Sequence, residues 1–410
     1  MKIVIITPYL GEAFGTERVL ADSCRLLRKE GHQVYFITDV VGAVFPDCDG
    51  LKHQAGLSHL RTLATRKQTA SIVQEIETYL ESIPAEVVVL VDAFHPHLVD
   101  AIRQKWPTVY TAHSVSPTCP SSVRIWGGDT LCGVKSGWSC LVHDFKHHCL
   151  PFPDASRKAY AVLDFLRKQK SLRQVHRVVA VSQSLKKILV ADGWEESKID
   201  VTYNPIEVPS DLTRIPDAPS PLLVTTSRLI PMKGLSPLLD AVKQIESHPW
   251  TLWIVGDGNQ GQFLRDKARD LGLEKRIIFL GKKTYRETQQ IVASATVFLQ
   301  PNIGPEAFGI GMAESLALGI PVIATDLPAL PEVVRHETTG LIVPAADNQA
   351  MASAILRLLN DEGLRKRLGS EGKKDVQTRF GTEPHLRNME KSFKAAITAF
   401  SNLRISAATS

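Results

Sequence analysis

Residues 295–326 read ATVFLQPNIGPEAFGIGMAESLALGIPVIATD, and the pattern changes character along the way. "ATVFLQP" is a short apolar run without alternation, the signature of a strand buried on both faces. A glycine-bearing loop, Gly304 to Glu306, follows it. "GIGMAESLALG" then reads as a helix starting between Phe308 and Gly311, and "PVIATD" returns to strand. Strand, loop, helix and strand in this order form a β-α-β unit. Glu306 falls in the loop and Glu314 in the first turns of the helix. Gly309 and Gly311 leave backbone N–H groups at the helix start open to an anion. Glu314 is placed to accept hydrogen bonds from neighbouring hydroxyls such as a ribose diol. The plain alternative is a solvated charge ahead of the helix and a surface carboxylate on it.

The same alternation runs outward in both directions. "KIVIITPY" (2–9), "HQVYFIT" (32–38), "EVVVLVD" (86–92), "TVYTAHS" (108–114) and "RVVAVSQ" (177–183) are strands of a first unit, and residues 17–30 form its first helix, closed by Gly31. Around residues 205–220 prolines accumulate and periodicity vanishes, which marks a domain boundary. "LLVTTSR" (222–228), "TLWIVGDG" (251–258), "RIIFLG" (276–281), "ATVFLQP" and "PVIATD" are strands of a second unit. The expectation is an α/β protein of two Rossmann-like domains facing across a cleft, 1–205 and 206–379, with a terminal helix, 380–410, packing back towards the first. "GDG" at 256–258 and the Gly15 loop lack the GxGxxG dinucleotide fingerprint, which argues against an NAD-linked oxidoreductase.

The 410 residues are 44% hydrophobic and 22% charged, with a formal net charge of +5. That balance excludes a disordered or polybasic nucleic-acid-binding chain, and its mild excess suits an anionic small ligand or an anionic membrane surface. The N-terminus lacks a signal-peptide pattern and nothing approaches a membrane span, so a cytoplasmic protein is expected, at most peripheral at the inner face of the membrane.

"PNIGPEAFGIGMAESLALGIPVIATD", with "TSRLIPMKG", "LWIVGDG" and "RIIFLG", closely resembles the donor site of retaining GT-B glycosyltransferases of family 4, whose pattern is two glutamates separated by seven residues. "IVIITPY", "VVAVSQSLKK" and "VTYNPIE" extend the likeness, more thinly, over the first domain. The resemblance implies transfer of a hexosyl unit from a nucleotide-diphosphate sugar, UDP- or GDP-linked, to a glycan, lipid-linked or small-molecule acceptor. It implies that Glu314 holds the ribose, Glu306 contacts the transferred sugar, and Arg228 and Lys233 grip the diphosphate, so that no metal cofactor is needed. Phe308, Gly309 and Ile310 fall on the donor, and His113 matches a histidine that reaches the donor sugar. Gly15 matches the first of a glycine pair near the phosphates, but Thr16 replaces the second. The different-class alternative is a catalytically silent GT-B scaffold or sugar-nucleotide-binding protein.

Asp92 ends a strand and His95 and His97 follow it; together they either line an acceptor pocket or cap loop backbone, which makes Asp92 and His95 acceptor-side candidates. Residues 114–150 resemble a cysteine-bearing insertion of some glycan-building members of the family. Cys119, Cys132, Cys140 and Cys149 there are irregularly spaced and contain no CxxC, so packed thiols, a structural zinc site and disulfides all remain open. Trp126 and Trp138 offer ring faces to an acceptor sugar.

Overall fold

The computed structural model describes the chain except residues 11–14, 42–46, 58–65, 92–93, 127–129, 151, 217, 220 and 410, and gives backbone alone at 66–68, 126, 130–131 and 407–409. The unbroken apolar runs form two parallel sheets, the arrangement in which strands are usually covered on both faces. The first has the spatial order Ile199–Val201, Arg177–Ala180, Thr108–Ala112, Val87–Val91, Lys2–Ile6, Gln33–Thr38, Gly50–His53. Every neighbouring pair in it is parallel, with Ile3 opposite both Val34 and Val87. The second has the order Ile277–Gly281, Thr251–Val255, Leu222–Thr226, Val297–Gln300, Val322–Thr325, Gly340–Val343, again all parallel. Pattern alone does not single out the short outer strands Gly50–His53, Ile199–Val201 and Gly340–Val343.

In each sheet the chain winds outward to one edge and then restarts on the other side of its first strand. This reversal lies between Lys2–Ile6 and Val87–Val91 in the first sheet, and between Leu222–Thr226 and Val297–Gln300 in the second. At such a switch point two adjacent loops diverge from the carboxyl ends of the strands and leave a crevice for a ligand.

The chain divides into one unit of Met1–Arg124, Gly133–Pro205 and Thr382–Ser410, and another of Ile125–Cys132 and Ile206–Gly381. The crossover thus falls at the start of the proline-rich stretch. The insertion 114–150, expected wholly in the first domain, is split: Ile125–Cys132 groups with the second unit.

The terminal helix, Thr382–Thr409, belongs to the first unit, where Met389, Phe393 and Ala396 join the core formed by Ile3, Ile5, Val89, Val109 and Val179. Polar contacts set its register. His385 Nδ1 meets the Tyr203 carbonyl at 2.9 Å, Ser392 Oγ donates to Asp200 at 2.9 Å, and His32 Nε2 meets Glu390 at 2.9 Å. In the second unit Leu223, Ile254, Val297, Leu299 and Ile323 pack against helical Leu238, Leu239, Ile355 and Leu358.

A buried carboxylate anchors part of the insertion. Asp192, fully buried, accepts from the Ser136 N–H and hydroxyl, each at 2.7 Å, and from the Gln169 amide, with Arg173 at 3.3 Å and Arg124 at 3.8 Å. The cysteines take no part in this anchor. None of the six is joined in a disulfide, and among the described residues no group of three or more His, Cys, Asp or Glu converges on a point where a metal could sit.

Candidate functional site

The second sheet's switch point brings Arg228, Lys233 and Glu306 into neighbouring loops. Arg228 and Lys233 follow strand Leu222–Thr226, and Glu306 follows Val297–Gln300. Gly234 makes their approach possible. Its φ is +66°, and a Cβ there would lie 1.8 Å from the Pro301 carbonyl oxygen, so a side chain would force the two loops apart. The Ile303 and Gly304 N–H groups both donate to the Met232 carbonyl at 3.0 Å, which ties the loops together.

Lys233 Nζ donates to Glu306 Oε2, the two side chains being 17% and 21% exposed. The same oxygen accepts from Asn302 Nδ2 at 3.1 Å. Asn302, 1% exposed, is oriented in turn by Gln300, whose amide donates to Asn302 Oδ1 at 2.8 Å. Burial pushes the Glu306 carboxyl up, but the Lys233 ammonium, the Asn302 amide and the Ala307 N–H outweigh it and hold the carboxyl below its usual range. Arg228 is exposed and has no ion-pair partner among the described residues.

The helix spans Ile310–Ala317, with Gly309 as its N-cap at φ +91°, inside the window that the sequence pattern sets. The left-handed turn is what requires glycine at 309, since a side chain there would be strained whatever space surrounds it. Glu314 is 7% exposed, not the surface carboxylate of the plain alternative, and its Oε2 accepts from Gln289 Nε2 at 2.8 Å. Gln289 is fully buried on helix Tyr285–Ala293, and its own Oε1 finds no partner. Phe308 is 2% exposed and its ring stands edge-on to Phe380 in the core, ring centroids 5.1 Å apart. Ile310 opens the helix, half-buried.

In the first unit, Gly15 begins helix Gly15–Lys29 and is exposed. Thr16 lies within that helix, where φ is negative, so the missing second glycine imposes no strain there. His113 follows strand Thr108–Ala112, and its buried Nε2 has no hydrogen-bond partner. Burial, with His385 alongside, lowers its pKa to about 4, so the ring is neutral at ordinary pH. His95 is the N-cap of helix Pro96–Lys105, its Nδ1 accepting from the His97 N–H at 3.3 Å. Asp92 lies outside the described residues, as does the Trp126 side chain. Trp138 is 59% exposed at the start of helix Ser139–His147.

Gln289, Gln300 and Asn302 carry no signal in the sequence. Each reads as an ordinary polar residue beside a strand or on a helix, and only the fold reveals that they orient the two glutamates.

Residues 14–208 match the model of Glycosyltransferase Family 4, and residues 215–375 that of Glycosyl transferases group 1. A phosphatidyl-myo-inositol mannosyltransferase of Mycobacterium leprae (strain TN) is 40% identical over 149 residues, 36% of this chain and 39% of that protein. A GDP-mannose-dependent monoacylated alpha-(1-6)-phosphatidylinositol monomannoside mannosyltransferase of Corynebacterium glutamicum is 32% identical over 172 residues, 40% of this chain and 44% of that one. The match thus spans less than half the length of these relatives. In fold the chain is similar to Anabaena Alr3699/HepE, solved with UDP and glucose (TM-score 0.70, 20% identity, 96% of this chain and 100% of that one). It is equally similar to a glycosyltransferase from Rickettsia africae ESF-5 (TM-score 0.71, 18% identity, 97% and 98%).

Proposed function

The chain belongs to glycosyltransferase family 4 and has the GT-B fold, and on that premise we propose that it moves a hexosyl unit, with retention of anomeric configuration, from a nucleotide-diphosphate sugar to a hydroxyl of a glycan, lipid-linked or small-molecule acceptor. The observation that carries the reading is the convergence of Lys233, Asn302 and Glu306 at the switch point of the second sheet, with Glu314 held by Gln289 on the helix that follows.

In this reading Glu314 accepts from the ribose hydroxyls, while Arg228 and Lys233 face the diphosphate. As the anomeric C–O bond breaks, the leaving diphosphate gains negative charge, and fixed cations beside it stabilise the transition state more than the ground state. The acceptor oxygen then bonds to the anomeric carbon on the face the diphosphate leaves, and its proton passes to a departing phosphate oxygen. Glu306 orients the sugar and offsets the positive charge developing at the anomeric carbon. His113, neutral and with an unfilled Nε2, suits a sugar hydroxyl. No divalent cation is required, because the cationic side chains do its work. We place the acceptor on the first domain and the protein in the cytoplasm, in peripheral contact with the membrane where its acceptor is lipid-linked. Among the described residues no helix is long and apolar enough to cross a membrane.

Incubation with a panel of radiolabelled nucleotide sugars, GDP-mannose first, tests the reading through donor hydrolysis without acceptor, run with and without a chelator. Release of one sugar, unaffected by chelation and with the anomeric configuration kept, is expected. Tight nucleotide binding without any hydrolysis or transfer would favour the silent-scaffold reading.

A further inference from the structure

Helix Ser139–His147 is amphipathic in the inverted sense. Its buried residue is Asp144, 2% exposed, which accepts from the Leu150 N–H and from Lys158 Nζ, both at 2.7 Å. Its exposed residues include two large apolar ones. Val142 is 74% exposed and Phe145 87%, and with Trp138 they recur at intervals of four and three, one face of the helix. Phe152 and Tyr160, which follow within the same stretch, are 36% and 45% exposed.

The exposed charges along this segment are mainly basic. Lys135 and Lys146 are exposed, and His148 beside them is exposed too. The only carboxylates between residues 135 and 160 are Asp144, buried on Lys158, and Asp154, paired with Arg157 at 3.3 Å. An apolar ridge with an aromatic at its start and lysines at its margins matches a bilayer interface, where rings enter the headgroup boundary and ammonium groups meet anionic headgroups. A protein partner fits less well. Three side chains present far less than the roughly 800 Å² per partner that a stable protein interface buries.

We propose that helix Ser139–His147 docks the protein on an anionic lipid surface, lying in the interface plane with Trp138, Val142 and Phe145 inserted and Lys135 and Lys146 on the headgroups. This locates the membrane contact proposed above and is independent of the transfer chemistry, so the two fail separately: vesicle binding tests one, hydrolysis of soluble donor the other.

Flotation of the full chain with vesicles of mixed phosphatidylcholine and phosphatidylglycerol, against pure phosphatidylcholine, measures the docking. Binding to the mixed vesicles, weakened by salt, is expected. The double substitution Val142→Ser and Phe145→Ser should lower the partition at least about tenfold, and Lys135→Gln and Lys146→Gln about fivefold each. Because both apolar positions are exposed, the serine variant should keep its melting temperature and its donor hydrolysis. Absence of wild-type binding to the mixed vesicles would overturn the proposal, as would a serine variant that floats like wild type. A dimer seen by light scattering and abolished by Phe145→Ser would also overturn it, since a second copy would then cover the face.

Discussion

Substituting Glu306 by glutamine separates the two duties of the Lys233 ammonium. In the ligand-free protein Lys233 is engaged by Glu306, both side chains being about four-fifths shielded from solvent. A diphosphate entering the site must compete for that ammonium and tolerate the nearby carboxylate. A glutamine at 306 removes both obstacles, since the neutral amide keeps the Asn302 contact but binds the ammonium weakly. Partly exposed ion pairs are worth about 1 kcal/mol net, so bare UDP or GDP should bind the variant about fivefold more tightly. Turnover moves the other way. The variant lacks the negative charge that offsets the developing positive anomeric carbon, and loss of one such electrostatic contact costs on the order of a hundredfold in kcat. Titration calorimetry with the bare nucleotide diphosphates, paired with initial rates of hydrolysis of the complete donor, reads both effects. The gain should vanish when Lys233→Ala is added, because no ammonium remains to be released. Weaker diphosphate binding in Glu306→Gln, or a gain that persists without Lys233, would refute the reasoning.

The other carboxylate should behave oppositely. Glu314→Gln should weaken bare nucleotide diphosphate binding by about 1 kcal/mol or more, and Gln289→Leu, which removes the donor that aims Glu314, should do the same with kcat at saturating donor little changed; a kcat loss at unchanged affinity would displace Glu314 from the ribose. Acid should destabilise the first unit through its buried histidines. Burial lowers the pKa of His385 from 6.5 to about 4, so its contribution is complete above pH 6.5 and is lost as pH falls from there towards 4, up to about 3 kcal/mol for this residue. A melting temperature measured across that window should fall less steeply in His385→Gln than in wild type, and equal slopes would discount the residue. Asp192→Ala should cost about 3–5 kcal/mol by leaving the Arg124 and Arg173 charges and the Ser136 N–H without their buried carboxylate, read as a fall in the denaturant midpoint; a loss below about 1 kcal/mol would show that the insertion is anchored elsewhere.

Much of this molecule is legible one segment at a time. Unbroken apolar runs announce the inner strands, the two glutamates stand out against them, and the start of the helix carrying Glu314 lies within the window set by its glycines. These features are local, because burial on both faces and the end of a helix are decided by residues a few positions apart. The partners of the functional groups are not local. Lys233 meets Glu306 across 73 positions, Gln289 meets Glu314 across 25, and Ser392 of the terminal helix meets Asp200 across 192. His95 shows the same division: its place after a strand is plain, but that its ring caps a helix rests on a hydrogen bond that no periodicity encodes. The inverted helix Ser139–His147 is a sharper case, since an apolar face ordinarily points inward, and here the buried pairing of Asp144 with Lys158 turns it outward. Patterning specifies which residues leave water; only the assembled sheets decide which polar groups they meet there, because each such meeting depends on the joint placement of elements that share no local sequence signal.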